Sequence, residues 1–207
     1  MNIESIPTGA FEEICYIVWD TAKQAIVFDP GHDADLISQT LYEHHLDVAA
    51  YVCTHGHADH INALAELHEK RPAPVAMHTS DWQWAFDSIN QILPHYPVPQ
   101  RPAVETFLPL KSSTDWNVAD LHFQCMETPG HTPGSCCILF PEGGILVTGD
   151  TLFKGSCGRT DLPGGDARQL KESLNKLKQL PDETRAFPGH GPDTTIGIER
   201  ATNFFMQ

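Results

Sequence analysis

Histidine and aspartate are concentrated in one short stretch, residues 54–60, which has the sequence THGHADH. Both residue types are good ligands for zinc, iron or manganese. His55 and His57 are two residues apart, so one turn can direct both rings at a single ion. Asp59 and His60 follow and could serve a second ion. The alternative is a polar loop that is histidine-rich by chance, in a chain with 12 histidines.

Three later loops carry more residues of the same kinds, and each follows an apolar run. His131 lies between turns that contain proline and glycine, Asp150 follows Gly149, and His190 follows Gly189. Taken singly, a histidine in such a loop is more often a hydrogen-bonding turn residue than a ligand. Together with the first loop they supply five histidines and two aspartates, enough for two metal ions that share one carboxylate.

The hydrophobic pattern indicates the elements that must position these loops. Residues 48–53 form an apolar run typical of a buried strand, and loops that follow strands often carry functional sites. Residues 14–19 and 25–28 predict a β-hairpin. Further strands are predicted at 73–78, 121–126, 136–140, 145–147 and 185–187. Helices are predicted at 33–45, 58–70, 80–92, 166–180 and 195–205. Asp33 is the expected N-cap of the first helix. Ser80 is the expected cap of the helix at 80–92, with Trp82, Phe86 and Ile89 facing inward.

Strands and helices alternate in each half of the chain, which predicts two sheets flanked by helices. Prolines interrupt residues 95–109, so we expect irregular structure there. This segment is either a lid over a pocket or a surface connection, and the connection is the simpler interpretation.

Composition narrows the class of protein and its partners. A chain of 207 residues, 41% of them hydrophobic, fits one globular domain. The 27 acidic and 13 basic residues give a formal charge of -14, so nucleic acid is not an expected partner. We find neither a signal peptide nor an apolar run of the ~20 residues that a membrane span needs. The six cysteines form no CxxC pair, which favours free thiols in a cytoplasmic protein. We expect a monomer or a small homo-oligomer.

The THGHADH motif, together with Gly130-His131, Gly149-Asp150 and Gly189-His190, resembles the metallo-β-lactamase superfamily. The resemblance implies an α/β fold, the αββα four-layer sandwich with two mixed β-sheets flanked by helices, as a single domain over residues 1–207. It also implies a ligand set for two ions: His55, His57 and His131 for the first, Asp59, His60 and His190 for the second, and Asp150 as the bridge.

Within the superfamily, residues 149–153 and Gly158-Arg159 resemble the hydroxyacylglutathione hydrolases, or glyoxalase II enzymes, and residues 153–166 resemble their short single-domain relatives. That implies hydrolysis of a small-molecule thioester, a glutathione conjugate, with Asp59 orienting a hydroxide held by two divalent ions. Zinc is expected, with iron or manganese as alternatives. Arg159 and Lys154 are candidate substrate contacts. Arg159 could equally pair with Asp161 or Asp166.

Other functions remain open at this point. The run from Gly158 to Asp161 also resembles the persulfide dioxygenases of the superfamily, in which one iron would be held by His55, His131 and Asp150. A metal-binding protein without catalytic activity is a third hypothesis. β-Lactamase activity is disfavoured, because Asp59 with Asp150 follows the hydrolase pattern rather than that of a site containing cysteine.

Overall fold

Apolar runs rich in β-branched and aromatic residues form two six-stranded sheets in this computed structural model, which describes residues 1–91, 93–112 and 115–207. The strands of the first sheet, in spatial order, are β1 (Asn2–Thr8), β2 (Glu13–Trp19), β3 (Gln24–Phe28), β4 (Asp47–Val52), β5 (Val75–His78) and β6 (Phe107–Leu110). The pairs β1–β2 and β2–β3 are antiparallel, and the pairs from β3 to β6 are parallel.

The second sheet is also mixed. Its strands in chain order are β7 (Asp115–Val118), β8 (Leu121–Glu127), β9 (Cys136–Phe140), β10 (Ile145–Gly149), β13 (Arg185–Pro188) and β14 (Thr194–Thr195). Each strand from β7 to β10 pairs antiparallel with the next one along the chain. β10 also pairs parallel with β13, and β14 pairs antiparallel with β13 as the edge strand. A short ribbon joins β11 (Leu152–Phe153) to β12 (Ser156–Cys157).

Helices cover the outer faces of both sheets. They are α1 (Ala34–Glu43), α2 (Ala58–Ile61), α3 (Leu64–Lys70), α4 (Thr79–Trp82), α5 (Ala167–Leu177) and α6 (Ile196–Thr202). Within the part of the chain that the structure describes, no helix has the length and apolar character needed to cross a membrane. All six cysteines are free thiols, as the sequence predicts.

The hydrophobic residues form three buried layers, because strands in the middle of the molecule are apolar on both faces. Along β2, Ile17 faces the helices of the first half, whereas Tyr16 and Val18 face the other sheet. The third layer lies under α5, where Leu170 and Leu174 pack on the outer face of the second sheet. Three apolar layers separate four layers of structure, which confirms the predicted αββα sandwich and its flanking helices.

The predicted helix over 58–70 is wrong in its middle, where the chain breaks into α2 and α3. The backbone amide of Ala63 donates to the carbonyl of Pro30 at 3.0 Å instead of bonding within a continuous helix. This tertiary hydrogen bond fixes the histidine-rich loop against the end of β3, a constraint that the helical periodicity of the sequence does not contain.

The predicted helix over 80–92 is wrong over most of its length. Only Thr79–Trp82 is α-helical, and a 3-10 turn follows at Ser88–Asn90. The cap is His78, whose side chain accepts from the amide of Ser80 at 3.2 Å. Trp82 and Phe86 do pack against the core, but Ile89 is 59% exposed rather than inward. Residue 92 lies outside the described residues.

Smaller corrections concern helix ends and the proline-rich segment. Asp33 precedes α1 in a left-handed conformation and makes no side-chain cap, since its carboxylate accepts from the amide of Gly9 at 2.8 Å. The segment 95–109 is irregular up to residue 106, but Phe107–Leu110 adds a parallel strand beside β5. The last predicted helix ends at Thr202, and a 3-10 turn at Phe204–Met206 follows.

Candidate metal centre

The loops that carry the predicted ligands all leave the carboxyl ends of strands at one edge of the sandwich. β8 and β10 run in the same direction, since both pair antiparallel with β9, and β13 is parallel to β10. Backbone hydrogen bonds tie the loops together: the amide of Cys136 donates to Thr54 at 2.8 Å, and that of Gly189 donates to Gly149 at 2.9 Å. The two halves of the chain therefore meet at this edge.

Gly149 is required for that approach. Its φ is +46°, a conformation that L side chains rarely adopt, and a Cβ there would collide with the side chain of Thr54. The absence of a side chain lets the loop that carries Asp150 lie directly on the loop that carries His55.

The first cluster consists of His55, His57 and His131, which are all buried. Their ligand atoms lie within 4.8 Å of one another. The closest pair is Nδ1 of His57 and Nε2 of His131, at 2.9 Å. Three imidazole nitrogens directed at one point are the donor set expected for a divalent transition metal.

The second cluster consists of Asp59, His60 and His190, whose ligand atoms also lie within 4.8 Å of one another. Nε2 of His190 is 3.4 Å from Oδ2 of Asp59. The side chain of His60 is fully buried, whereas that of His190 is 27% exposed. This cluster is therefore the more open of the two.

Asp150 contacts both clusters. Its Oδ2 lies 3.5 Å from Nε2 of His131 and 3.7 Å from Nε2 of His190. Its Oδ1 lies 3.3 Å from Nε2 of His60. One carboxylate thus faces histidines from each cluster, which is the position that a bridging ligand needs.

The tautomers of His131 and His190 are set by backbone carbonyls. Nδ1 of His131 lies 2.8 Å from the carbonyl oxygen of Arg159, and Nδ1 of His190 lies 3.1 Å from that of Phe11. Because a carbonyl oxygen can only accept, Nδ1 carries the proton and Nε2 presents its lone pair to the cluster. Metal-binding histidines are commonly oriented in this way.

His55 and His60 are held by a shared support, the carboxylate of Asp29. Asp29 accepts from the hydroxyl of Thr54 at 2.6 Å and from Nδ1 of His60 at 3.1 Å. The Thr54 hydroxyl lies in turn 3.1 Å from Nδ1 of His55. Asp29 is also near enough to these rings to be counted as a ligand, but its oxygens are already occupied, so we assign it a positioning role.

Buried atoms without partners mark the centre of the site. Among the described residues, Nε2 of His55, Nε2 of His60 and Oδ1 of Asp150 are buried and accept or donate no hydrogen bond. Buried polar atoms are rarely left unsatisfied, because each such group costs roughly 1–3 kcal/mol. All three can donate electron pairs to a cation. The residues present therefore fit a dinuclear site for divalent ions with nitrogen and oxygen ligands.

The pKa values of His55, His57 and Asp150 follow the same pattern, whereas the carboxylates of Asp59 and Asp150 outweigh burial and raise the pKa values of His60 and His190. Burial, reinforced by the neighbouring His131, lowers the pKa of His57 to about 3. Burial also holds the pKa of His55 well below its ordinary value. For Asp150 burial acts in the opposite direction, but the rings of His60 and His131 prevail and hold its pKa far below the ordinary range. His55 and His57 are thus neutral and Asp150 is ionised at neutral pH, the forms that bind metal.

Asp81 holds together the two loops that carry the first cluster, and it was not predicted from the sequence. Its fully buried carboxylate accepts from the amide of Gly56 at 2.9 Å, the hydroxyl of Thr132 at 2.6 Å and the amide of Gly134 at 2.7 Å. It therefore joins the loop of His57 to the loop of His131. The THGHADH loop has a second brace in Asn90, whose amide donates to the carbonyl of Gly56 at 2.8 Å.

Asp29 could have been found from the sequence, because it follows a buried strand just as Thr54 does. Asp81 offers no comparable signal, since it lies within a stretch with helical periodicity.

The two predicted substrate contacts lie on the surface beside the site. The guanidinium of Arg159 makes a two-pronged ion pair with Asp161, at 2.6 and 2.7 Å, and its side chain is 60% exposed. Lys154 is exposed on the loop between β11 and β12. Arg159 therefore has Asp161 as an ion-pair partner, one of the two partners predicted from the sequence. Substrate binding by Arg159 and by Lys154 stays a prediction.

The fold and the paired clusters define a metal-dependent hydrolase. Residues 9–190 match the metallo-beta-lactamase superfamily, and the chain belongs to that superfamily. It is 34% identical over 211 residues to the hydroxyacylglutathione hydrolase GloC of Haemophilus influenzae, covering 100% of this chain and 98% of GloC.

Two solved structures are similar along the whole chain. BLEG-1, a B3 metallo-beta-lactamase, superposes with a TM-score of 0.92 at 33% identity and covers 100% of both chains. TTHA1623 in a di-iron-bound form superposes with a TM-score of 0.86 at 35% identity, covering 98% of this chain and 99% of its own.

Proposed function

We propose that this protein is a thioester hydrolase of the hydroxyacylglutathione type, which converts S-D-lactoylglutathione to D-lactate and glutathione. The observation that carries the proposal is the position of Asp150 between the two histidine clusters. Among the described residues, Nε2 of His55, Nε2 of His60 and Oδ1 of Asp150 are buried there without a hydrogen-bond partner. The similarity to GloC along the full chain supports this choice of substrate.

In this proposal each cluster holds one divalent ion. His55, His57 and His131 would bind the first, Asp59, His60 and His190 the second, and Asp150 would bridge them. We expect zinc, with iron or manganese as alternatives, and the di-iron form of TTHA1623 makes iron a specific candidate. Two such ions, when bound, lower the pKa of a shared water toward 7 and stabilise a developing oxyanion.

The residues of the chain supply orientation and charge for this reaction. Asp59 lies at the open side of the site, with its Oδ2 3.4 Å from Nε2 of His190. Burial tends to raise the pKa of Asp59, but the nearby rings of His60 and His190 keep it below the ordinary value. Asp59 is therefore ionised at neutral pH and accepts a hydrogen bond from the attacking water, which fixes the direction of attack.

The leaving group needs little help from the protein. A thiol has a pKa near 8.5, so its anion departs without a strong general acid. We assign no dedicated acid in the site, and a thioester is accordingly a better substrate for it than an unactivated amide. Arg159 is proposed to contact the glutathione portion, since its planar guanidinium suits a carboxylate, and this requires exchange of its partner Asp161.

The test combines metal quantification on protein purified without added metal with turnover of S-D-lactoylglutathione. We expect two ions per chain and hydrolysis that is lost on chelation. Asp59→Asn should lower kcat strongly while at least the first cluster keeps its ion. Asp115→Asn, a matched change at an exposed aspartate on the edge strand β7, should leave kcat unchanged. Full metal occupancy without turnover of any thioester would refute the proposal and favour a non-enzymatic metal-binding protein.

Two other activities are measured on the same sample. Similarity to BLEG-1 favours β-lactam hydrolysis as a second candidate, and cleavage of a chromogenic cephalosporin without thioester turnover would establish it instead. A single iron per chain, with oxygen uptake on glutathione persulfide, would identify a persulfide dioxygenase that uses His55, His131 and Asp150.

A further inference from the structure

A cavity of about 360 Å³ lies beside the first cluster, and the reaction proposed above leaves it without a role. Its walls include Trp84, Ile89, Pro133, Leu162 and Pro163, and His57 forms part of its inner wall. The rings of His57 and Trp84 are in edge contact, with their centroids 5.7 Å apart. Small-molecule sites occupy roughly 300–1,000 Å³, so this cavity has room for one small apolar group.

Among the described residues that line the cavity, His57 alone is a predicted metal ligand. His57 lines it and also belongs to the first cluster, where its Nδ1 is 2.9 Å from Nε2 of His131. If a substrate carbonyl lies at the metal centre, a substituent attached to that carbonyl can therefore reach into the cavity.

The side chains that line this cavity indicate which part of a thioester it could bind. Among the described residues that line this cavity, none is an aspartate, glutamate, lysine or arginine. Arg159 and Lys171 instead line a separate cavity of about 640 Å³. The anionic part of a thioester would be poorly solvated in the first cavity and has cationic partners at the second.

We infer that the cavity beside His57 binds the acyl group of the thioester, and that the acyl groups it prefers are apolar chains larger than lactoyl. The inference rests on the proposed function and makes it more specific. Trp84, Ile89 and Leu162 are then specificity-determining residues, because they supply the apolar surface that an acyl chain would cover.

The experiment is a series of S-acylglutathiones with acetyl, butyryl, hexanoyl and octanoyl chains, hydrolysed by the metal-loaded protein. Burying one methylene contributes about 0.8 kcal/mol, and each ~1.4 kcal/mol is a factor of ten. We expect kcat/KM to rise about fourfold per methylene until the cavity is full. Binding of the matching carboxylates, acetate to octanoate, is measured by calorimetry on the same protein and should strengthen in the same order.

The variant Ile89→Asp places a charge at the rim of the cavity, at a side chain that is already 59% exposed. It should reduce kcat/KM for octanoylglutathione about tenfold or more, and leave the acetyl substrate nearly unchanged, because only the long chain reaches the rim. Ile198→Asp is the matched control, since Ile198 is 49% exposed on α6 and does not line the cavity.

The outcomes separate the two proposals. A flat dependence on chain length in both hydrolysis and carboxylate binding, or equal effects of Ile89→Asp and Ile198→Asp, overturns the inference while thioester hydrolysis stands. Carboxylate binding that strengthens with chain length, without hydrolysis of any thioester, supports the cavity and refutes the proposed reaction.

Discussion

Replacement of Asp81 by asparagine should loosen the first metal cluster while leaving the second in place. The carboxylate accepts three hydrogen bonds, two at Oδ2 and one at Oδ1. Asparagine has one oxygen, so its NH₂ group must face at least one N–H or O–H donor. At best the oxygen keeps Gly56 and Thr132, and the amide of Gly134 loses its acceptor.

The size of the effect follows from the lost bond. A hydrogen bond to a charged group contributes roughly 1.5–3 kcal/mol, and a buried donor left without an acceptor adds to the loss. We expect the free energy of unfolding to fall by about 3 kcal/mol. Burial raises the pKa of Asp81 against the effect of its three donors, so part of the cost of burying its charge is recovered in the neutral variant.

The assay is a competitive chelator titration of the two sites, together with denaturant unfolding. Changes in residues that support metal ligands typically weaken affinity about 10–100-fold, and we expect that loss at the site formed by His55, His57 and His131. Asp20→Asn is the control, because Asp20 is also buried but accepts from the backbone amides of Gln24 and Asp120 near the β2–β3 turn. Equal weakening of both metal sites, or none at either, would refute the reasoning.

Three further predictions concern the same edge of the sandwich. Chelation should lower Tm by about 10–20 °C, since each of the two ions, at 100 times its Kd, contributes about 2.7 kcal/mol and each kcal/mol shifts Tm by ~2–4 °C in a chain of this size. Calorimetry before and after zinc is restored checks this, and an unchanged Tm contradicts it. Gly158→Ala should abolish metal binding, because a Cβ there collides with the carbonyl of Asp150 and lies 3.0 Å from Nδ1 of His131. Gly155→Ala, which has open space around it, should cost only about 1–2 kcal/mol of unfolding free energy and keep the metal. Arg159→Ala should raise KM for S-D-lactoylglutathione without changing metal content, since the backbone carbonyl that orients His131 is retained; an unchanged KM removes Arg159 from the substrate site.

Eight of the strands, β2 to β5, β8 to β10 and β13, could be predicted from the sequence because their apolar runs are short and bounded by turn residues. The periodicity fails where one tertiary contact outweighs it. Ala63 donates to Pro30 and interrupts a helix that the pattern predicts as continuous. Asn90 bonds to the carbonyls of Gly56 and Ala85, at 2.8 and 2.6 Å, and this position is incompatible with a straight helix from residue 80 onward.

The candidate site divides in the same way. The residues that face the centre could be proposed from the sequence because their types and spacing suit a metal. The residues that hold them could not, since Asp81 and Asn90 act on loops 25 and 34 positions away along the chain. The apolar cavity was equally inaccessible, because Trp84 and Leu162 come together only when the two halves fold against each other.

The centre takes its side chains from both halves of the polypeptide. The loop after β4 in the first sheet supplies His55, His57, Asp59 and His60, and loops of the second sheet supply His131, Asp150 and His190. Separating the two sheets would therefore release any ions bound at this centre, and bound ions would oppose that separation. Such a protein would lose rigidity whenever divalent metal becomes scarce. Its susceptibility to proteases should then report on metal supply as directly as its activity does.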